Sequence, residues 1–159
     1  MKRTHRRRLL LFVGVAALVL LVIGQLRHEA KQQPQPLLTL QPQAIAQISV
    51  RRQGADAEHY QRRDGHWWRV DGTSTRDDDG RLDEIAQIAA APVIYWRPVS
   101  DFQPTAIGLQ PPAVTLNLDG QQIEFGDVAA TAPLRYVRVG ARIALIPLRY
   151  MPRPARPAR

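Results

Sequence analysis

No cysteine occurs anywhere in the chain. That excludes a disulfide, a thiolate nucleophile, a cysteine-type zinc site and the lipid-bearing cysteine of a lipoprotein. Serine is almost as scarce, with only Ser49, Ser74 and Ser100, and none lies in a Gly-x-Ser-x-Gly turn. A serine hydrolase needs its nucleophile presented on such a strained turn and held by a base, so this pattern gives it no support. There is no Gly-rich phosphate loop. Lysine is nearly absent, with two against twenty arginines, and the domain has only two histidines, His59 and His66. A catalytic constellation is therefore not expected, and the chain reads as a non-enzyme with no cofactor.

The net charge of +8 points at first to nucleic acid, but its placement does not. Lys2, Arg3, Arg6, Arg7 and Arg8 precede an apolar run, and Arg149, Arg153, Arg156 and Arg159 lie in a Pro-rich tail. Between residues 40 and 148 there are 11 Arg and 13 Asp plus Glu, which leaves that stretch near −2. A nucleic-acid reader carries its positive charge on the folded face where phosphates dock, so no nucleic-acid partner is expected.

The apolar run is Leu9 to Leu26, in which 13 of 18 residues are Leu, Ile, Val or Phe. As a helix it would span about 27 Å, close to the ~30 Å hydrocarbon core of a bilayer. The basic residues ahead of it place residues 1–8 in the cytoplasm, residues 9–26 across the inner membrane as a transmembrane helix, and everything later in the periplasm. A cleaved signal peptide is the competing reading, with a cut before Gln25. It lacks an Ala-x-Ala site and its apolar stretch is long, which favours a retained anchor. Residues 27–43 are rich in Gln and Pro and read as a semi-rigid linker. Leu37, Leu38 and Leu40 are too apolar for a free spacer and are expected to add a strand or pack on the domain.

Residues 44–148 carry strand signals at short intervals. Ile48 and Val50 alternate with polar neighbours. Asp64-Gly65 is a two-residue hairpin signal between His59–Arg62 and His66–Val70, because both turn positions want φ > 0. Leu82, Ile85, Ala86 and Ala89 form an apolar stripe that predicts one helix over 78–90, capped by Asp77, Asp78 or Asp79 and stopped by Pro92. Val93–Trp96 reads as a strand. A Pro-rich crossing from Pro104 to Pro112 follows. Val114–Leu118, an Asp119-Gly120 turn and Gln122–Phe125 make a second hairpin. Leu134–Val139 and Ile143–Ile146 complete the set, with Arg135, Arg138 and Arg142 predicted to face solvent. The expected fold is α+β: a small antiparallel sheet of two hairpin or meander units flanking one helix, with a disordered Pro/Arg tail over 149–159.

Three groupings could carry chemistry. Thr75-x-Asp77-x-Asp79-Gly80 resembles a calcium loop, but its first and twelfth positions hold Thr75 and Ala86, so helix capping is the better reading. His59 and His66 lie at similar distances from the Asp64-Gly65 turn. They could meet across the hairpin, but no third ligand is specified, so no metal is expected. Trp67, Trp68, Tyr95 and Trp96 are candidate partner or ligand contacts. Neighbours on a strand point to opposite faces, so one member of each pair is expected in the core and the other outside.

The order of motifs is a basic start and anchor, an Asp64-Gly65-x-Trp67 hairpin, an Asp-led helix, Gly108-Leu109-x-Pro111, Phe125-Gly126-Asp127, and Arg135-Tyr136-Val137-Arg138. It resembles the bacterial domain-of-unknown-function 4340 family over roughly residues 45–148, with Gly108, Leu109, Pro111, Arg135, Tyr136 and Arg138 among the motif positions. The chain departs from that pattern by ending soon after the last hairpin. The resemblance implies a membrane-anchored envelope protein, an accessory or scaffold subunit that works beside other envelope or transporter proteins, some of them ABC-type exporters. The alternative is a periplasmic module that binds glycan or lipid through exposed aromatics.

Overall fold

The computed structural model describes residues 35–130 and 132–155. The apolar run 9–26 and the basic start lie outside the described residues. Among the described residues no helix is long and apolar enough to cross a membrane.

Nine strands form one antiparallel sheet: β1 (Gln47–Arg52), β2 (Ala57–Arg63), β3 (His66–Arg69), β4 (Thr75–Arg76), β5 (Tyr95–Pro98), β6 (Val114–Leu118), β7 (Gln121–Val128), β8 (Leu134–Val139) and β9 (Arg142–Pro147). Their order across the sheet is β4-β3-β2-β1-β6-β7-β8-β9-β5. Among the described residues the one α-helix, α1 (Asp79–Ala86), has eight residues and runs into a 3-10 turn, Gln87–Ala90.

The expectation of an α+β domain, a small antiparallel sheet of two hairpin or meander units flanking one helix, is therefore corrected to a mostly β domain built on one nine-stranded antiparallel sheet. The cause is the pairing of β1 with β6, in which Ile48 faces Leu118 and Val50 faces Leu116. Matching apolar residues on one side of both strands lock this register, since a one-residue slip would turn every core side chain outward. Without that pairing each meander would expose a long unpaired edge. Instead the edges fall to the two-residue β4 and to β5, which ends in Pro98.

Both predicted hairpins form. Asp64 and Gly65 take φ of 51° and 78°, and Asp119 and Gly120 take 47° and 87°, the left-handed pair a tight hairpin requires. Asp119 does a second job, because its carboxylate accepts the Ala46 amide at 3.1 Å and the Gln47 amide at 2.7 Å, tying the turn to the start of β1. Helix α1 starts where Asp78 accepts the Arg81 amide at 3.2 Å, which satisfies a free first-turn donor.

The core covers one face of the sheet. Ile48, Val50, Tyr60, Trp67, Leu116, Ile123, Phe125, Val137, Ala144 and Ile146 point under Leu82, Ile85, Ile88 and Ala89, with Leu37 and Leu38 sealing the margin. The two leucines donate their backbone N–H groups to the Ala91 and Ala89 carbonyls, each at 2.9 Å. The end of the presumed linker is thus part of the domain. Residues 149–155, expected in a disordered tail, also dock: Tyr150 and Met151 pack on the core, and Arg52 donates to the Arg153 carbonyl at 2.8 Å.

On the opposite face a smaller cluster of Ile107, Leu109 and Ile143, flanked by Val99, Phe102 and Tyr136, covers the β7–β8–β9 end. Over β1, β2, β3 and β6 that face stays open. The sheet therefore has a covered face and a half-open one.

Candidate functional site

Alternation decides which side chains reach the open face. In β1 they are Gln47 and Ser49, in β2 His59 and Gln61, in β3 His66 and Trp68, in β6 Thr115 and Asn117, and in β7 Gln122 and Glu124. The registers align them in rows: Ser49 is partnered by His59 on one side and Asn117 on the other, and Asn117 by Gln122. Gln61 is partnered by Gln47 and by Trp68. A broad open concavity of about 720 Å³ lies over this array, lined by Gln47, Ser49, His59, Gln61, Asp71 and Asn117.

Several of these groups are fixed at one end by the protein. Asp71, just after β3, accepts the His59 amide and the His59 Nδ1–H, each at 2.8 Å, and Arg69 Nε at 3.3 Å. Partial burial alone would raise the Asp71 carboxyl, but these three donors outweigh it and hold it below the usual carboxylate range. The Asn117 amide oxygen accepts the Gly120 amide at 2.8 Å. Gln61 Oε1 accepts Arg63 at 2.7 Å, and Gln122 Nε2 donates to Glu124 at 2.8 Å. Glu124 also pairs with Arg138. Arg138, predicted to face solvent, is half-buried for that reason, and Arg135 is half-buried because it donates to the Gly126 carbonyl.

Ser49, His59 and Asp71 have the composition of a hydrolytic triad, and the His59–Asp71 half is built. Ser49 makes no hydrogen bond to His59 among the described contacts, so the step that activates a serine is not assembled. His59 and His66 do not meet: on the paired strands β2 and β3 the register sets His66 opposite Arg63, and His66 binds Asp79 at 2.9 Å while His59, four residues away along β2, binds Asp71. Among the described residues no group of three metal-ligating side chains comes together.

The aspartates of the calcium-like stretch are all engaged in structure. Asp77 accepts Arg81 at 3.2 Å, Asp78 caps α1, and Asp79 accepts the Trp67 amide at 2.7 Å. That amide, with His66 and Arg76, holds the Asp79 carboxyl well below the usual range.

The four candidate aromatics are dispersed. Trp67 is fully buried, with its Nε1–H on Asp83 at 2.9 Å and Arg62 stacked on its ring. Trp68 is half-buried on the open face. Trp96 is half-buried against the core under Arg142, 4.3 Å from the ring centre. Tyr95, 43% exposed, sits on the β5 edge beside Ile94. Trp68 and Tyr95 are seven strand intervals apart, roughly 30 Å at the ordinary interstrand spacing, so they cannot hold one small ligand.

The motif positions gather into a structural joint. Gly108 ends the 3-10 turn Pro104–Ile107 with φ of 67°. Its missing side chain leaves room for Asp127, and that of Gly126 leaves room for Ile107 and Leu109. Arg135 ties the Gly126 carbonyl, and Tyr136 stacks edge-on against Phe102, with ring centres 5.8 Å apart. Pro111 follows in a cis peptide. Glycine appears where two backbones cross closely. The array that lines the concavity was not singled out from sequence. The available signal was the neutral amide and hydroxyl character of the outward positions in β1, β2 and β6.

Comparison of the chain with family models, curated proteins and solved structures finds no match.

Proposed function

We propose that this chain is a non-enzymatic accessory protein of the bacterial envelope, anchored in the inner membrane by residues 9–26, with its β domain in the periplasm and the open half of the sheet as its contact surface. The observation that carries the reading is the half-open sheet: a wide, shallow, polar surface beside a fully built core. Small-molecule sites are enclosed and mostly apolar, whereas a broad shallow face suits a macromolecule. The resemblance of the motif order to the domain-of-unknown-function 4340 family supports an envelope location and a place beside a transporter, such as an ABC-type exporter.

The test is co-purification from native membranes in gentle detergent, with a tag after Arg159. A partner recovered in fixed ratio supports the reading. A chain that migrates alone overturns it.

A further inference from the structure

The open face has a specific chemistry. Its side chains carry fixed, complementary hydrogen-bonding ends. Asn117 and Gln61 have their amide oxygens occupied by the Gly120 amide and by Arg63, which leaves their N–H groups free. Gln122 has its N–H on Glu124, which leaves its oxygen free. His59 gives its Nδ1–H to Asp71, which leaves Nε2 as the ring nitrogen open to a ligand, an acceptor in the neutral imidazole. Ser49 sits between His59 and Asn117 and can both donate and accept. Donors and acceptors thus alternate across four strands, and their orientation is set before any ligand arrives, which lowers the ordering cost of binding.

The carboxylates bordering this array are paired, Asp71 with Arg69 and Glu124 with Arg138, while Arg51 at the end of the β1 row and Arg63 at the end of the β2 row are exposed and supply positive charge at its margins. At one margin Trp68, partnered by Gln61, offers an apolar ring face. Among the described residues its indole makes no hydrogen bond within the chain. Neighbouring strands lie about 4.8 Å apart, comparable to the advance per hexose along an extended β-1,4-linked chain.

We propose that the open face over β3, β2, β1 and β6, with the adjoining Gln122 of β7, binds a hydroxyl-rich chain, an extended glycan, running across the strands. Hydroxyls of successive sugars exchange hydrogen bonds with His59, Ser49, Asn117 and Gln122 and with the Gln47 and Gln61 amides of the adjoining row, and one ring lies against Trp68. This rests on the proposed role of the open face as the contact surface and names its ligand.

The test is co-sedimentation of the full chain, in a detergent without a sugar headgroup, with purified peptidoglycan sacculi, chitin, cellulose and an insoluble α-glucan. The expected result is retention by at least one polymer that survives about 0.5 M salt, where screening acts within about 4 Å. Gln47→Ala, Gln61→Ala and Trp68→Ala should each weaken retention about threefold to tenfold at unchanged thermal midpoint, while Tyr95→Ala on the far edge leaves it unchanged.

Retention by none of the polymers overturns the inference. So does retention abolished by salt, or retention indifferent to all three substitutions, because either would place binding in the basic termini. Running the membrane co-purification on the Gln47→Ala/Gln61→Ala variant separates the two proposals. A partner still recovered in fixed ratio by a chain that binds no glycan removes only the glycan.

Discussion

Gly126 gives the sharpest test of how the domain is joined. It lies in β7 under the crossing segment, and a Cβ at this position would come within 3.0 Å of the Ile107 carbonyl oxygen and 3.0–3.2 Å from the Leu109 side chain. The obstacle is backbone, and it is held. Gly108 caps the preceding turn in a left-handed conformation, and the Leu109 amide is fixed to the Pro104 carbonyl at 2.8 Å. Below, Arg135 holds the Gly126 carbonyl. Neither partner can yield alone. Forcing a methyl group into a close-packed site costs about 1–3 kcal/mol, and a fixed carbonyl puts Gly126→Ala in the upper half of that range, about 2–3 kcal/mol. At roughly 4 °C per kcal/mol for a domain of this size, the thermal midpoint falls by about 10 °C. Gly140→Ala is the control. Its φ is 57° and no atom would lie within 4 Å of the new Cβ, so its cost is conformational alone, about 1 kcal/mol. Circular dichroism melts and urea titrations of the full chain read both. Adding Leu109→Ala to Gly126→Ala should not restore stability, because the oxygen remains. If Gly126→Ala costs no more than Gly140→Ala, or if Leu109→Ala rescues it, the joint is not built as argued.

The two adjacent tryptophans should separate cleanly: Trp67→Ala loses a fully buried ring and about 3–5 kcal/mol, while Trp68→Ala stays within about 1 kcal/mol in the same urea titration. Asp119→Ala removes the acceptor of the Ala46 and Gln47 amides and should cost about 1–2 kcal/mol, with Asp119→Asn keeping most of it, since Asn tolerates the left-handed turn and retains one acceptor oxygen. Acid should weaken the fold through Asp79, held low first by the Trp67 amide, and through Asp71. A carboxyl whose folded pKa is depressed stabilises above its unfolded value, near 4, and loses that contribution as pH falls through the folded value, so urea midpoints should drop below about pH 4, and the drop should be shallower in Asp79→Asn. At the other extreme, burial pushes Tyr60 up to about 12; a raised folded pKa stabilises below the unfolded value near 10 and loses the contribution as pH rises, so one tyrosine should remain un-ionised in an ultraviolet titration until the fold yields.

What could be read from the sequence was local. Asp64-Gly65 and Asp119-Gly120 announce their turns because the φ > 0 requirement belongs to those residues themselves. The start of α1 was legible from the aspartates, but its end was not: Ile88 and Ala89 continue the apolar stripe, so helix was predicted to 90, whereas the backbone tightens to a 3-10 turn from Gln87. Alternation in β1 shows that Ile48 and Val50 share a face. It does not show that the face continues into Leu118 and Leu116, some 70 residues away. The same blindness affected β5, which leaves its neighbours in sequence and adds to β9 at the far edge. Arg135 and Arg138 looked like solvent positions because arginine usually is one; a carbonyl at a close crossing and the Glu124 carboxylate draw them in. The polar array was invisible for a related reason. Gln47, Ser49, His59, Gln61, Asn117 and Gln122 each look like the outward residue of an ordinary strand, and only the long-range registers make them neighbours.

The arrangement of the two faces explains why an open polar surface persists in a small domain. Both ends of the described domain, Leu37 and Leu38 at one and Tyr150 and Met151 at the other, pack on the covered face with α1, and the crossing segment 99–112 covers the second face at its β7–β8–β9 end. Nothing else among the described residues lies over β1, β2 and β6. An outward strand surface with no role beyond solubility needs only mixed charge. This one instead has its carboxylates neutralised by neighbours and its amides oriented by specific bonds, from Gly120 to Asn117 and from Gln122 to Glu124. Orientation of this kind restricts side chains that solvent would otherwise leave free, an entropic cost of order 1 kcal/mol for each long side chain, and the exposed hydrogen bonds return little of it in water. A surface that carries that cost is better suited to holding a ligand in a set pose than to meeting water alone.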